Sequence, residues 1–237
     1  MMMTRGSLLG WMAALALTAC DGKSASSPDA PVAVDAAVDA PPGNPGPTMS
    51  FFISSRGVAT GGDFRRTAAD TDGLAGADEF CRTLAAAANP ALGSKPWRAY
   101  LSTSTVNAKD RIGTGPWYNQ KLVMVAGSVA DLLDPTKNQI NKANGLDEKG
   151  QPVPGRGDTP NQHDILTGTL ANGTASTSTC ANWTSSGAGA GTVGHFDRGG
   201  GGTDPTSWSS AHASNGCAAT AFPPSGGRGS IYCFVAN

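Results

Sequence analysis

Charge is scarce in this sequence, and no basic excess is present. Asp, Glu, Lys and Arg make up 15% of the 237 residues, and the net charge is −1. Proteins that grip phosphate backbones use clustered Lys and Arg, so nucleic acid is not an expected partner. Aromatic residues are only 6%. The longest apolar run, Leu8 to Leu17, is too short to cross a bilayer. No cysteine pair has C-x-x-C spacing, which weakens zinc-ribbon and redox readings. The G-x-S-x-G and H-E-x-x-H signatures are absent, and with them the common hydrolase motifs. Glycine and proline are what the chain has instead, 32 and 16 residues. That is loop-rich composition, short of the level that marks disorder throughout.

The apolar run follows Arg5 and precedes Leu17-Thr18-Ala19-Cys20. It reads as a signal-peptide core over residues 1–19. The four residues ending at Cys20 resemble the bacterial lipoprotein box. That resemblance implies a diacylglycerol on the Cys20 thiol, cleavage before Cys20 and acylation of the new amine, with palmitate-class chains. Two or more acyl chains anchor firmly where one does not. Residues 20–48 are rich in Pro, Ala, Asp and Ser and lack aromatics and amphipathic period. Such a segment buries too little apolar surface to offset its ordering entropy, and reads as a spacer. The domain then covers residues 49–237. The expected location is the extracytoplasmic cell envelope, at the outer membrane or cell surface rather than the inner membrane.

Within the domain, Ser50 to Ser55 reads as a first strand. Leu74, Ala77, Cys81, Leu84 and Ala88 recur at helical spacing. They predict a helix over residues 74–88, with Asp72 as N-cap and Asn89-Pro90 as terminator. Residues 97–102, 122–125 and 165–169 read as strands, and a short helix is expected near Asp110-Arg111. Residues 134–163 read as polar turns, with Arg156-Gly157-Asp158 one of them. Residues 230–235 give the clearest strand, Ile231, Cys233 and Val235 on one face and Tyr232 and Phe234 on the other. Residues 185–229 read as a long loop, which in a compact domain is usually functional or cross-linked.

Setting Cys20 aside leaves Cys81, Cys180, Cys217 and Cys233. An even number in an exported chain implies two disulfides, and the sequence leaves all three pairings open. The order of elements resembles the C-type lectin-like fold, in the branch that includes endostatin. The match is carried by Trp97 to Ser102, by Leu166-Thr167-Gly168-Thr169 followed by Cys180 and Trp183-Thr184, and by Cys217 with Ile231-Tyr232-Cys233-Phe234. Gly73 to Cys81 and Leu146 to Gly150 are similar to bacterial secreted relatives of that fold. The resemblance implies an α+β fold with small antiparallel sheets, one or two helices and a long disulfide-clipped loop region. It implies nested pairing, Cys81 with Cys233 and Cys180 with Cys217. Calcium-binding lectin motifs are missing, because Ala181-Asn182-Trp183-Thr184 lacks the acidic residue, and endostatin's zinc-binding histidines have no counterpart.

Candidate sites are few. Asp70, Asp72 and Asp78 are weak calcium candidates, but Cys81 stands where an EF-hand needs Glu, so helix capping competes and no cofactor is expected. His163, His195 and His212 show no metal-ligand spacing, and no shared zinc site is expected from them. Trp183, His195, Trp208 and His212, amid Gly and Ser, form a candidate ligand surface, with core packing the competing reading, stronger for Trp183. The reading is thus a lipid-anchored, non-enzymatic binding or adhesion module for a glycan or protein ligand. An envelope hydrolase and a purely structural protein are the alternatives. Disulfides, rather than a large apolar interior, are expected to hold the shape.

Overall fold

A computed structural model describes residues 46–237. Cys20, the segment before it and the spacer up to residue 45 lie outside the described residues. Gly46 to Thr48 are exposed, and burial begins at Met49 and Ser50.

The domain is α+β, organised around one long strand. Eight strands are numbered in chain order: β1 (Phe51–Ile53), β2 (Trp97–Ala99), β3 (Trp117–Tyr118), β4 (Met124–Ala126), β5 (Asp164–Leu166), β6 (Thr192–His195), β7 (His212–Ala213) and β8 (Gly227–Val235). Two helices, α1 (Leu74–Ala88) and α2 (Val129–Leu133), accompany them. The main sheet runs β1-β8-β5-β6-β7, and β2 also pairs with β8. Pairing is antiparallel except for β5 and β8, which run parallel, so the expectation of purely antiparallel sheets fails at that one pair. β3 and β4 form a separate hairpin.

β8 explains the core. Its residues alternate, and both faces are buried. Ile231, Cys233 and Val235 pack with α1, Phe52, Trp97 and Trp183. Tyr232 and Phe234 pack on the other side with Phe51, Tyr100, Trp117 and Trp208. α1 supplies Leu74, Ala77, Phe80, Cys81, Leu84 and Ala85 to the first cluster, close to the expected face, while Ala88 is exposed at the helix end. Gly73 is the N-cap, yet the Asp72 carboxylate accepts the Leu74 N–H and does the capping chemistry one residue early.

Two disulfides join Cys81 to Cys233 and Cys180 to Cys217. All four cysteines lie in the first apolar cluster. The expectation that bridges replace a large interior is corrected: two apolar clusters flank β8, and the bridges reinforce one of them. Around Cys180 the backbone is left-handed over four consecutive residues, Cys180 to Trp183, with φ of 48°, 54°, 58° and 64°. Each such residue costs roughly 1–2 kcal/mol. The turn is held by the Cys180 bridge and by Thr179 Oγ1, which accepts the Asn182 N–H. Among the described residues no helix is long and apolar enough to cross a membrane.

Candidate metal centre

The stretch read from sequence as a loop over residues 185–229 contains strands β6 and β7. They extend the sheet outward from β5, and this brings the three histidines together. His163 and Asp164 stand at the head of β5, His195 ends β6, and His212 begins β7. Register pairs Asp164 with His195, and Val193 with His212.

One oxygen is the focus. Asp164 Oδ1 lies 3.3 Å from His163 Nε2, 3.2 Å from His195 Nε2 and 3.5 Å from His212 Nε2. Ligand atoms of His163, Asp164 and His195 all lie within 4.8 Å of one another, and all three residues are buried. His212 closes the outer side and is 23% exposed at its side chain. The His163 and His195 rings stack at 4.1 Å between centroids, and His195 meets His212 edge-on at 5.0 Å.

The far nitrogen of each ring is already engaged. His163 Nδ1 pairs with Asp197 Oδ1 at 3.1 Å, His195 Nδ1 with the Pro205 carbonyl at 3.0 Å, and His212 Nδ1 with the Ala213 carbonyl at 2.9 Å. A carboxylate and two carbonyls can only accept, so each Nδ1 carries the proton and donates it. A neutral ring then presents a bare lone pair at Nε2. Three such lone pairs face one carboxylate oxygen, itself acceptor-only. Both Asp164 oxygens and His195 Nε2 are buried with no hydrogen bond of acceptable geometry. Buried polar atoms are rarely left so, and a cation between them resolves the conflict.

Without an ion, protons on the Nε2 atoms would take its place, and the charges of the cluster respond to them. Burial pushes the Asp164 carboxyl up, but contacts with His195 and His212 outweigh it and hold the carboxyl down, to about 2. His212 is raised above its ordinary 6.5 by the Asp164 carboxylate, against its own partial burial. Asp197 is lowered by its bond from His163 and by the Arg156 and Gly199 N–H groups, which overcome its burial.

The glycine run Gly199 to Gly202 makes the enclosure. A Cβ on Gly200 would stand 2.8 Å from Cε1 of both His163 and His195, and its φ is +142°. A Cβ on Gly202 would meet His212 Cδ2 at 2.9 Å. Only bare backbone can lie this close to the rings.

The other expected sites fare differently. Trp183 is fully buried, edge-on to Phe64, and donates Nε1–H to the Ser102 carbonyl at 2.7 Å. Trp208 is 4% exposed and packs on Tyr100 and Tyr232. Neither offers a ring to a ligand, so the aromatic surface expected from sequence is corrected to core. His195 is also buried, but it and His212 belong to the imidazole cluster. Asp70, Asp72 and Asp78 do not form a calcium site: Asp70 accepts from Arg66 and Thr67, Asp72 caps α1, and Asp78 binds Arg111 and the Ala99 N–H. Burial pushes the Asp78 carboxyl up despite Arg111 and Arg98. Asp164 and Asp197 were missed from sequence; the adjacent pair His163-Asp164 and the triplet His195-Phe196-Asp197 ahead of four glycines were the available signals.

No protein-family model matches this chain, and no curated protein matches it.

Proposed function

We propose that the chain is a metal-binding module of the cell envelope, in which His163, His195, His212 and Asp164 hold one divalent transition ion of the zinc class. The observation that carries this is the convergence of three Nε2 atoms on one acceptor-only oxygen, with every Nδ1 already donating elsewhere. Zinc bound at about 2.0–2.2 Å by tetrahedral N and O donors separates those donors by about 3.3–3.5 Å. The three nitrogen-to-oxygen distances, 3.3, 3.2 and 3.5 Å, fall at that spacing. The Nδ1 partners are the outer oxygens that orient metal-binding imidazoles elsewhere. Because His163 and His195 stack nearly parallel, at 9°, one ring turns about its Cβ–Cγ bond to seat the ion.

Three donors, His163, Asp164 and His195, already lie mutually close, and His212 Nε2, 3.5 Å from Asp164 Oδ1, supplies the fourth once its partly exposed ring moves in; four protein donors leave no position for substrate, the pattern of structural rather than catalytic zinc. The reading is therefore non-enzymatic. Within it the domain is C-type lectin-like, exported and tethered by acyl chains on Cys20. A glycan or protein ligand, if the envelope supplies one, meets a surface other than Trp183 and Trp208.

The test is equilibrium dialysis of the disulfide-intact chain against zinc chloride. One tightly held ion per chain is expected, lost in His163→Ala and in His195→Ala. Absence of a stoichiometric ion, or equal loading of the variants, refutes the site.

A further inference from the structure

We propose that the tip of the β3–β4 hairpin docks on an anionic lipid surface and fixes which face of the tethered domain meets the bilayer. Leu122, Val123 and Met124 are consecutive in sequence and 50%, 40% and 47% exposed. Large apolar side chains scattered singly are normal on a surface; three in a row at an exposed turn are not. The turn is built to present them. Asn119 Oδ1 accepts the N–H groups of Lys121 and Val123, and the Asn119 N–H bonds the Val123 carbonyl. Leu122 sits at φ of 61°, a left-handed conformation that Leu rarely adopts.

The occupant follows from where the chain leaves the described residues. The Ser50 N–H donates to the Tyr118 carbonyl, and the Tyr118 N–H to Ser50 Oγ, so the first buried residues are stitched to the first arm of the hairpin. Thr48 and Met49 share a cavity wall with Gln120, Lys95 and Lys149. The root of the tether and the hairpin are therefore neighbours. Lys121 and Lys149 are exposed beside them, while Glu148 is buried and accepts from Ser55. Basic groups next to an apolar tip suit an anionic headgroup layer over acyl chains.

This inference rests on Cys20 bearing the lipid. Thr48 lies 28 positions after Cys20 (48 minus 20), which reaches at most about 100 Å. A tether of that reach does not by itself choose a face. It does hold the domain at high effective concentration near the surface, so a weak apolar contact beside its root suffices to orient it.

The experiment uses the full lipidated chain in phosphatidylglycerol-containing vesicles. Val123→Cys supplies a thiol for an environment-sensitive fluorophore, because the other domain cysteines are bridged. Thr206→Cys, exposed near the metal centre, is the control. Quenching by lipids brominated in their acyl chains is expected to be about threefold or more stronger at position 123 than at 206. Adding Leu122→Asp and Met124→Asp is expected to remove the difference. Equal quenching at both positions in chains that float with the vesicles overturns the docking alone. Chains that do not float overturn the lipid on Cys20, and the docking with it.

Discussion

Replacing Asp164 by Asn reverses the chemistry of the imidazole cluster while barely changing its shape. The carboxylate is 2% exposed at its side chain, and among the described residues no side chain donates to either oxygen with hydrogen-bond geometry. A carboxamide in the same place offers two N–H donors to nitrogens now 3.2–3.5 Å from Oδ1. Each net hydrogen bond contributes about 0.5–1.5 kcal/mol, so the metal-free variant is expected to gain about 1–3 kcal/mol over the metal-free parent. For a domain of 192 described residues (46 to 237), each kcal/mol shifts Tm by about 2–4 °C. The parent behaves oppositely when zinc is added. An ion at a hundredfold excess over its Kd stabilises by about 2.7 kcal/mol, a rise of about 5–11 °C. The variant lacks the anionic ligand and is expected to gain little. Calorimetry at pH 8, disulfides intact, in chelator and in zinc, shows both effects. An Asn variant less stable than the parent in chelator, or one that gains as much from zinc, refutes the reasoning.

Gly200→Ala sets a methyl 2.8 Å from both stacked rings at a φ of +142°; it is expected to destabilise by roughly 1–3 kcal/mol and to weaken zinc binding by about tenfold or more in a competition titration. Removing the Cys180–Cys217 bridge, which closes 37 positions, is expected to cost about 2–4 kcal/mol in urea unfolding. The domain should stay folded in water, because the apolar clusters flanking β8 remain; unfolding without denaturant contradicts this. The metal-free cluster also has a pH signature. Asp164, depressed from 3.8 to about 2, adds stability above 3.8 that is lost as pH falls towards 2. His212, raised from 6.5, adds stability below 6.5 that is lost as pH rises through its folded value. The difference in unfolding free energy between the parent and Asp164→Asn should therefore favour the parent most between these limits, and a flat difference profile contradicts it.

The two elements with strong periodicity were legible in the sequence. α1 carries its apolar residues at helical spacing, and β8 alternates β-branched and aromatic residues, so both could be placed within a residue or two at one end. What alternation could not show is that both faces of β8 are covered, because an alternating strand is read as half-solvated. β6 and β7 were hidden for a different reason. They are four and two residues long, and β6 contains Gly194, whose missing Cβ admits the Trp208 carbonyl. Glycine lowers strand propensity, so the pattern that makes this close packing feasible is the one that reads as loop. The histidines lie 32 and 17 positions apart (195 minus 163, 212 minus 195), and only pairing of three neighbouring strands makes them one site.

Protons are the alternative to the proposed ion, and placing them in this geometry carries costs. One divalent ion with Asp164 and Asp197 sums to zero charge (+2, −1, −1), with all three imidazoles neutral. With both carboxyls held ionised, two protons reach the same sum only by charging two rings. If the pair includes His195, its partner lies 4.1 or 5.0 Å away between centroids. Two like charges at 4 Å repel by about 4 kcal/mol at an effective dielectric of 20. If the pair is His163 and His212, then His195 stays neutral, fully buried, with its Nε2 lone pair 3.2 Å from Oδ1 and no donor to separate them. A third proton relieves that contact and leaves a net buried charge, which costs several kcal/mol more. Each of these two- and three-proton patterns therefore keeps either a like-charge contact or an unpaired buried acceptor, whereas the proposed ion, coordinated by the four groups, would remove both.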